Sequence, residues 1–375
     1  DVYKRQSLDA DTPINTLEED ALLHLYHNFN WLMEDVENKN FKPCILYKGE
    51  EPVEYAAILP TRYEHTEGYH LEPVDSISTV LEQFYASRSL YTRIRQKSVD
   101  LRKIVSTHLE RSSKKLDLQL KQLKDTEKRD KYKVYGELLN TYGYQVTEGA
   151  KSVEVPNYYT GEMLTIPLDE TLSPLDNAKK YFARYNKLKR TFEALNTQTE
   201  EAKAEMAHLQ TIQAALAIAE SEDDLAQIRD ELETYGYIRR KMNGKKKQKS
   251  KSKPFHYRSS DGFDIYVGKN NFQNDELTFK VANGNDWWFH AKGMPGSHVI
   301  VKTEGRELPD RTFEEAGRLA GYYSSGRDNE KIEIDYLQRK NVKKPNGAVA
   351  GYVIYYTNYS LTIHPDISGI EKISE

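Results

Sequence analysis

The sequence predicts an α+β multidomain protein. A long antiparallel coiled-coil hairpin carries a small β-containing tip domain between its arms, and a separate α+β domain follows. Three observations carry this prediction. Neither Pro nor Gly occurs between Val74 and Tyr135, while apolar residues recur there at three-four spacing. A heptad pattern runs through Ala178, Tyr181, Tyr185, Leu188, Phe192, Leu195, Thr199, Ala202, Met206, Leu209, Gln213 and Leu216 without a slip. After Pro254, strand-like runs alternate with turns and one helical stretch. The 375-residue length allows two or three domains. With 30% charged residues and a mean hydropathy of −0.78, the chain needs a large exposed helical element.

In chain order, Asp1 and the following "VYKRQ" have no evident structural logic, so a fragment lacking an N-terminal part is expected. Leu17, Ala21, Leu25, Phe29, Leu32 and Val36 place one amphipathic helix within residues 1–40. Residues 41–75 read as two short strands around a "KGE" turn, too few to bury a core of their own. Residues 76–142 form the first arm, a helix of about 60 residues and roughly 90 Å. Residues 143–173 contain two alternating runs, Val153/Val155 and Leu164/Ile166, which make a tip hairpin. Ser173 followed by Pro174 is an N-cap hydroxyl with proline at the first helical position, and opens the second arm, 174–238. A parallel homodimer would also satisfy the heptads, but two arms of similar length around a compact insert favour the intramolecular hairpin. Ser221 and Asp224 start a last short helix to Tyr235.

Residues 239–253 hold nine basic residues and no acid, as a solvated linker, a polyanion tether, or both. Residues 254–375 carry strands in "FDIYVGKN", "DWWFHAK", "SHVIVKT", "KIEIDYL" and "GYVIYYTNYSLTIHP". A helix is expected from Leu308 to Tyr323, and Asn274 is the expected cap of a short one through Val281.

Composition narrows the function. The net charge of −4 does not mark the whole chain as a nucleic-acid binder, although a local basic field could act. Cys44 is the single cysteine, which leaves no disulfide framework or thiolate cluster. No apolar run reaches the ~18 residues of a membrane span, and no signal peptide opens the chain. A cytoplasmic protein with no membrane partner is expected. The chain contains no HExxH, CxxC, GxSxG or GxxxxGK[ST], so no metalloprotease, hydrolase or P-loop chemistry is indicated and no catalytic residue is assigned.

One stretch, "DWWFHAKGMPGSHVIV" from Asp286 to Val301, concentrates two of the three tryptophans and two histidines. A metal site at His290 and His298, with Asp286 or His256 as further ligands, lacks an established ligand spacing, and no cofactor is expected. If Trp287 to His290 form a strand, Trp287 and Phe289 share one face and Trp288 and His290 the other. One tryptophan would pack in the core and the other could be exposed. Lys292, Lys302, Arg306, Arg311, Arg318, Arg327, Arg339, Lys340, Lys343 and Lys344 surround them in sequence. Aromatic platforms with basic neighbours suit unpaired RNA. A core pair of tryptophans with scattered solvated charges fits the pattern equally.

"GKNNFQNDELTFKVANGN", "DWWFHAKGMPGSHVIV" and "VKKPNGAVAGYVIYY" together resemble the RNA-binding domain of the NFACT family. Its bacterial members are ribosome quality-control factors also called fibronectin-binding protein A, and streptococcal-type members are most similar. "KYKVYGELL", "VEVPNYYTGEMLTIPLDETLSPLDNAKKYFARYNKLKR" and "LETYGYIR" resemble the family's coiled-coil and middle domain. The resemblance implies that 1–40 ends a helical insert and 41–75 closes a truncated N-terminal domain. It implies a cytoplasmic, ribosome-associated, non-enzymatic protein. Such a protein binds rRNA and ribosomal protein on the large ribosomal subunit with its stalled nascent chain, and recruits tRNA, alanyl-tRNA above all, for template-free alanine tailing. The older name implies an alternative, a surface-exposed adhesin that binds fibronectin. The residues expected to contact RNA are Trp287, Trp288, His290, Lys292, Ser297, His298, Arg318, Lys343 and Lys344. The family's N-terminal Asp-Arg pair has no counterpart here, which implies RNA binding without support for tailing.

Overall fold

The structure is a computed structural model, and it describes residues 12–49, 51–60, 63, 66, 68–239 and 252–373. The basic run read as a linker or tether lies almost wholly outside the described residues. Two compact bodies divide the chain: Asp1–Val99 with Glu220–Glu222, and Asp100–Ala219 with Asp223–Glu375.

In the first body, helix α1 (Glu19–Glu37) matches the expected span. Glu19 and Asp20 lie in its first turn, where carboxylates favour the positive end of the helix dipole. Strands β1 (Cys44–Lys48) and β2 (Glu51–Ala56) are the expected pair. A third strand, β3 (Tyr69–Pro73), joins the other edge of β1. The strands are not left without a core. Ile45 is buried with Val80 and Phe84, which lie in the first turns of helix α2 (Ile77–Thr126).

The first arm is not one helix. α2 ends at Thr126, and α3 (Arg129–Tyr142) begins after a two-residue break. Thr126 is buried, and its hydroxyl donates to the Leu123 carbonyl at 2.6 Å, a local bond that competes with helix continuation. Arg129 then lays its guanidinium over Phe192, 3.9 Å from the ring centre.

The second arm is helix α4 (Pro174–Ala217), and Ser173 caps it as expected: its Oγ accepts from the Asp176 amide at 3.1 Å, with Pro174 next in the chain. The arms run antiparallel. Arg102 meets the Leu216 carbonyl, Gln119 donates to Gln198 at 3.2 Å, and Gly136 lies against Phe182. Along α2 the buried positions Val105, Ser112, Gln119 and Thr126 recur every seven residues, and three of the four are polar. Thr199 answers them from α4. The expected seam on α4 holds through Leu209, fails at Gln213 and is met again at Leu216. Gln213 is exposed, and Ile212 and Ala215 are buried instead.

Between the arms, β4 (Ser152–Pro156) and β5 (Met163–Pro167) form the expected antiparallel hairpin. Val155 and Ile166 pack with Leu138 and Leu139 of α3 and Ala178 of α4. Asn177 ties the following loop to α4. Its Nδ2 donates to the Asp169 carbonyl at 3.0 Å, and its Oδ1 accepts from the Asp169 amide at 2.8 Å.

Helix α5 (Glu222–Thr234) leads to the C-terminal domain. That domain is a seven-stranded antiparallel sheet of order β11-β10-β8-β9-β7-β6-β12. Its strands are β6 (Phe255–Arg258), β7 (Asp264–Val267), β8 (Trp287–Ala291), β9 (Val299–Val301), β10 (Ile332–Gln338), β11 (Tyr359–Ile363) and β12 (Glu371–Lys372). The expected long final strand is shorter than read. Its first half makes only an isolated bridge, Lys343 with Ile354. Helix α7 (Asp310–Tyr322) covers one face of the sheet. Helix α6 (Asn271–Glu276) and the π-turn Leu277–Val281 lie on the other side. Asn270, not Asn274, caps α6, its Oδ1 accepting from the Gln273 amide at 3.0 Å. Asn274 instead accepts from the His298 amide at 3.0 Å.

The helical base and this domain share a buried polar joint. Glu231 of α5 is fully buried. Its Oε1 lies 3.0 Å from His208 Nε2 on α4 and accepts from Asn271 Nδ2 at 2.7 Å. Asn271 Nδ2 also donates to Thr211 at 2.7 Å. Gln227 Oε1 accepts from Asn270 at 2.7 Å and from Gln273 at 2.9 Å. Tyr235 Oη accepts from the Ala350 amide at 2.7 Å. Gly351 has φ +76°, and an added Cβ would lie 2.4 Å from Asn271 Oδ1, so backbone sign and space both require glycine.

An added Cβ at Gly136 would lie 2.8 Å from the Phe182 ring. Gly136→Val should therefore destabilise the protein by about 1–3 kcal/mol in urea titrations. Adding Phe182→Leu should recover part of the loss. Equal midpoints for Gly136→Val and wild type would rule out this close approach.

Candidate nucleic-acid interface

Strand β8 has the expected alternation, but both of its faces are covered. Phe289 and Ala291 enter the core under α7, and Trp288 enters a second core with Leu277, Ile300, Leu337 and Val342. The Trp287 ring is half-buried against Phe313, 4.8 Å between centres, and Tyr336, 5.8 Å. Trp288 is fully buried among His290, His298 and Tyr355, at 5.6, 5.1 and 5.3 Å. The expectation of one exposed tryptophan is thus not met, because α7 packs on one side and the 271–281 and 342–355 segments on the other.

The histidines are structural members of this second core. His298 is buried and shares a 2.8 Å hydrogen bond with Thr278. His290 is partly buried and stacks on Trp288. Its cross-strand partner Asp335 accepts from Tyr355 Oη at 2.8 Å and Ser360 Oγ at 2.7 Å. That contact and burial hold the Tyr355 phenol well above its usual range, burial being the larger cause. Desolvation pushes His290 down to about 4. Burial, and then the neighbouring His290, push His298 well below its usual value. Among the described residues no group of three or more His, Cys, Asp or Glu side chains is arranged to hold a metal ion.

The other site residues read from sequence separate into anchors and surface charges. Ser297 is buried, and its amide donates to the Tyr323 carbonyl at 2.9 Å. Arg318 holds the chain end, donating to the Ser368 carbonyl at 2.8 Å and pairing with Asp366 at 3.6 Å. Trp288, Ser297 and His298 thus present no face on which a base could stack. Lys292 is exposed and pairs with Glu333 at 3.2 Å. Lys344 pairs with Asp275 of α6. Lys343 is exposed and makes no ion pair among the described residues.

Around Lys343 the structure gathers the basic neighbours Arg339 and Lys340 with Lys280, Tyr352 and Tyr356, three residues that sequence reasoning missed. Arg339 to Lys344 contains four basic residues and no acid. Arg339 is held in place, its Nε donating to the Thr278 carbonyl at 2.7 Å. Lys340 and Lys280 are exposed. The Lys343 amide donates to Ile354 at 2.9 Å and the Ile354 amide returns a 2.8 Å bond, which brings the tyrosine-rich segment alongside. Tyr352 is 53% exposed and Tyr356 83%, whereas Val353 and Tyr355 turn into the second core. The period-two pattern in "GYVIYY" carried this signal. Exposed rings beside unpaired lysines can stack bases and neutralise phosphates.

A sheet domain with a basic, tyrosine-bearing edge, joined to a coiled-coil hairpin, defines a class of nucleic-acid-binding protein on a helical stalk. The sequence profile of the NFACT protein RNA binding domain matches residues 253–355, and that of the NFACT N-terminal and middle domains matches residues 1–251. The chain belongs to the NFACT family. Among its relatives is the Rqc2 homolog RqcH of Streptococcus pneumoniae strain D39, 35% identical over 90% of this chain and 59% of the relative. The Rqc2 homolog RqcH of Streptococcus suis is 38% identical over 80% of this chain and 54% of the relative. That of Bacillus subtilis is 35% identical over 80% and 53%. The chain therefore spans less than two thirds of the length of these curated relatives. The solved C-terminal part of the fibronectin/fibrinogen-binding protein from Streptococcus suis superposes with a TM-score of 0.59 at 33% identity. It covers 75% of this chain and all of the solved one.

Desolvation holds both His290 and His298 below the ~6.5 at which an unfolded histidine titrates. Between that value and about 4 for His290, the unfolded chain binds more protons than the folded one. Stability present above about pH 6.5 is therefore lost as pH falls through this window. Thermal melting followed by tryptophan fluorescence should show the midpoint dropping, and His290→Phe should flatten the drop. A variant that keeps the full pH slope would remove His290 from this account.

Proposed function

We propose that this chain is the hairpin and RNA-gripping portion of a ribosome quality-control factor acting on the large ribosomal subunit. One observation carries the reading. Within the segment matched as the family's RNA-binding domain, exposed Lys343 is bridged to Ile354, which sets exposed Tyr352 alongside it and exposed Lys340 nearby in the chain, with exposed Tyr356 just beyond the matched segment. The relatives named Rqc2 homolog RqcH support the ribosomal context. In this reading the domain holds tRNA, alanyl-tRNA in the tailing step, while the hairpin reaches ribosomal RNA or protein. Peptide-bond chemistry belongs to the ribosome, so the chain needs no catalytic group. The protein acts in the cytoplasm, and among the described residues no helix is long and apolar enough to cross a membrane. A second reading, fibronectin binding, draws on the name of the streptococcal structural neighbour alone.

Titrating the protein with tRNA at several salt concentrations tests the first reading. The affinity should fall linearly on a log–log scale, by about 0.7–0.9 for each phosphate neutralised. Lys340→Ala with Lys343→Ala should flatten the slope by about 2. Lys344→Ala should do less, since Asp275 already engages that ammonium. No measurable RNA affinity at low salt, together with binding to immobilised fibronectin, would favour the second reading.

A further inference from the structure

We propose that the groove between the end of α4 and the Gly293–Gly296 turn takes an unpaired nucleobase of single-stranded RNA, with Arg327 on its phosphate. The groove is open and has a volume of about 560 Å³. The inference rests on the RNA-binding reading but concerns a different surface from the Lys340–Lys343 edge.

The floor is apolar and suits the faces of a base. Ala214, Ala217 and Ile218 supply one side, and Met294 and Pro295 the other. Backbone ladders hold this floor rigid. The Ser297 amide donates to the Tyr323 carbonyl at 2.9 Å, and the Ser325 amide to the Pro295 carbonyl at 2.8 Å. Met294 is pinned at Gly326, where an added Cβ would meet its Sδ at 2.7 Å.

The rim offers hydrogen-bonding groups without partners of their own. Gln210 and Gln213 are exposed on one side of α4, and their amides make no hydrogen bond among the described residues. A primary amide both donates and accepts, as the edge of a base requires. Gln213 falls on the heptad seam by count, yet it faces this groove rather than the hairpin partner. Arg327 has no carboxylate partner among the described residues, and its guanidinium is steadied over the Tyr322 ring at 4.5 Å. Asp328 is the one carboxylate among the lining residues. A base on an apolar floor with a guanidinium at its phosphate is the chemistry by which proteins hold unpaired RNA.

Anisotropy titrations of the full chain with a short fluorescein-labelled oligouridylate, and separately with a fully paired RNA duplex, test the assignment. Ala217→Glu places a carboxylate in the groove at an exposed helical position, and Arg327→Gln removes the phosphate partner. Each should weaken oligouridylate binding by about fivefold or more and leave duplex binding unchanged. Lys343→Ala should weaken both probes. If the groove variants bind oligouridylate as wild type does while Lys343→Ala weakens it, the groove assignment fails and the RNA-binding reading stands. If wild type binds neither probe at low salt, both fail.

Discussion

The carboxylate of Glu231 is the constraint on which the rest of the second body depends. A polar group taken out of water costs free energy unless it is hydrogen-bonded. Here the partners come from two other elements, His208 on α4 and Asn271 at the start of α6. α4, α5 and the C-terminal domain thus meet at this one buried side chain, whose Oε1 is engaged from both other elements. Hydrophobic packing would tolerate sliding at such a joint. A directional hydrogen-bond network does not, and it orients the sheet domain on the base of the hairpin.

Much of this architecture was legible in the sequence because its signals are local. The Ser173-Pro174 start, the tip hairpin and the heptads through Leu209 depend on neighbours three to seven residues away. The misses share a different cause. "EDDLAQIRDELET" reads as a short helix, and nothing within it reveals that Glu231 is buried. Gln213 leaves the seam because a second partner packs at the base and rotates the buried stripe towards Ile212. The break after Thr126 has no Pro or Gly to announce it. At the candidate interface, alternation correctly separated Trp287 from Trp288, but exposure depends on what covers each face. The covering segments come from 271–281, 310–322 and 342–355, which no local pattern could connect to β8.

The motif richest in unusual residues thus serves as the frame for the interface. Trp288, His290 and His298 form a neutral wedge beneath the 342–355 segment, and the more ordinary lysines and tyrosines stand on the outside. A chain with net charge −4 can still present a positive edge. Arg339 to Lys344 concentrates four cations, and only Lys344 has a carboxylate partner among the described residues.

Asp275 joins these two halves of the domain. One oxygen pairs with Lys344, and the other accepts the Gly351 amide at 2.9 Å, one turn along α6 from the Asn271 that contacts Glu231. A phosphate arriving at Lys344 competes with Asp275 for the same ammonium. One carboxylate thus fixes both a lysine of the basic run and the backbone beside the tyrosines, on the same helix that meets the hairpin base.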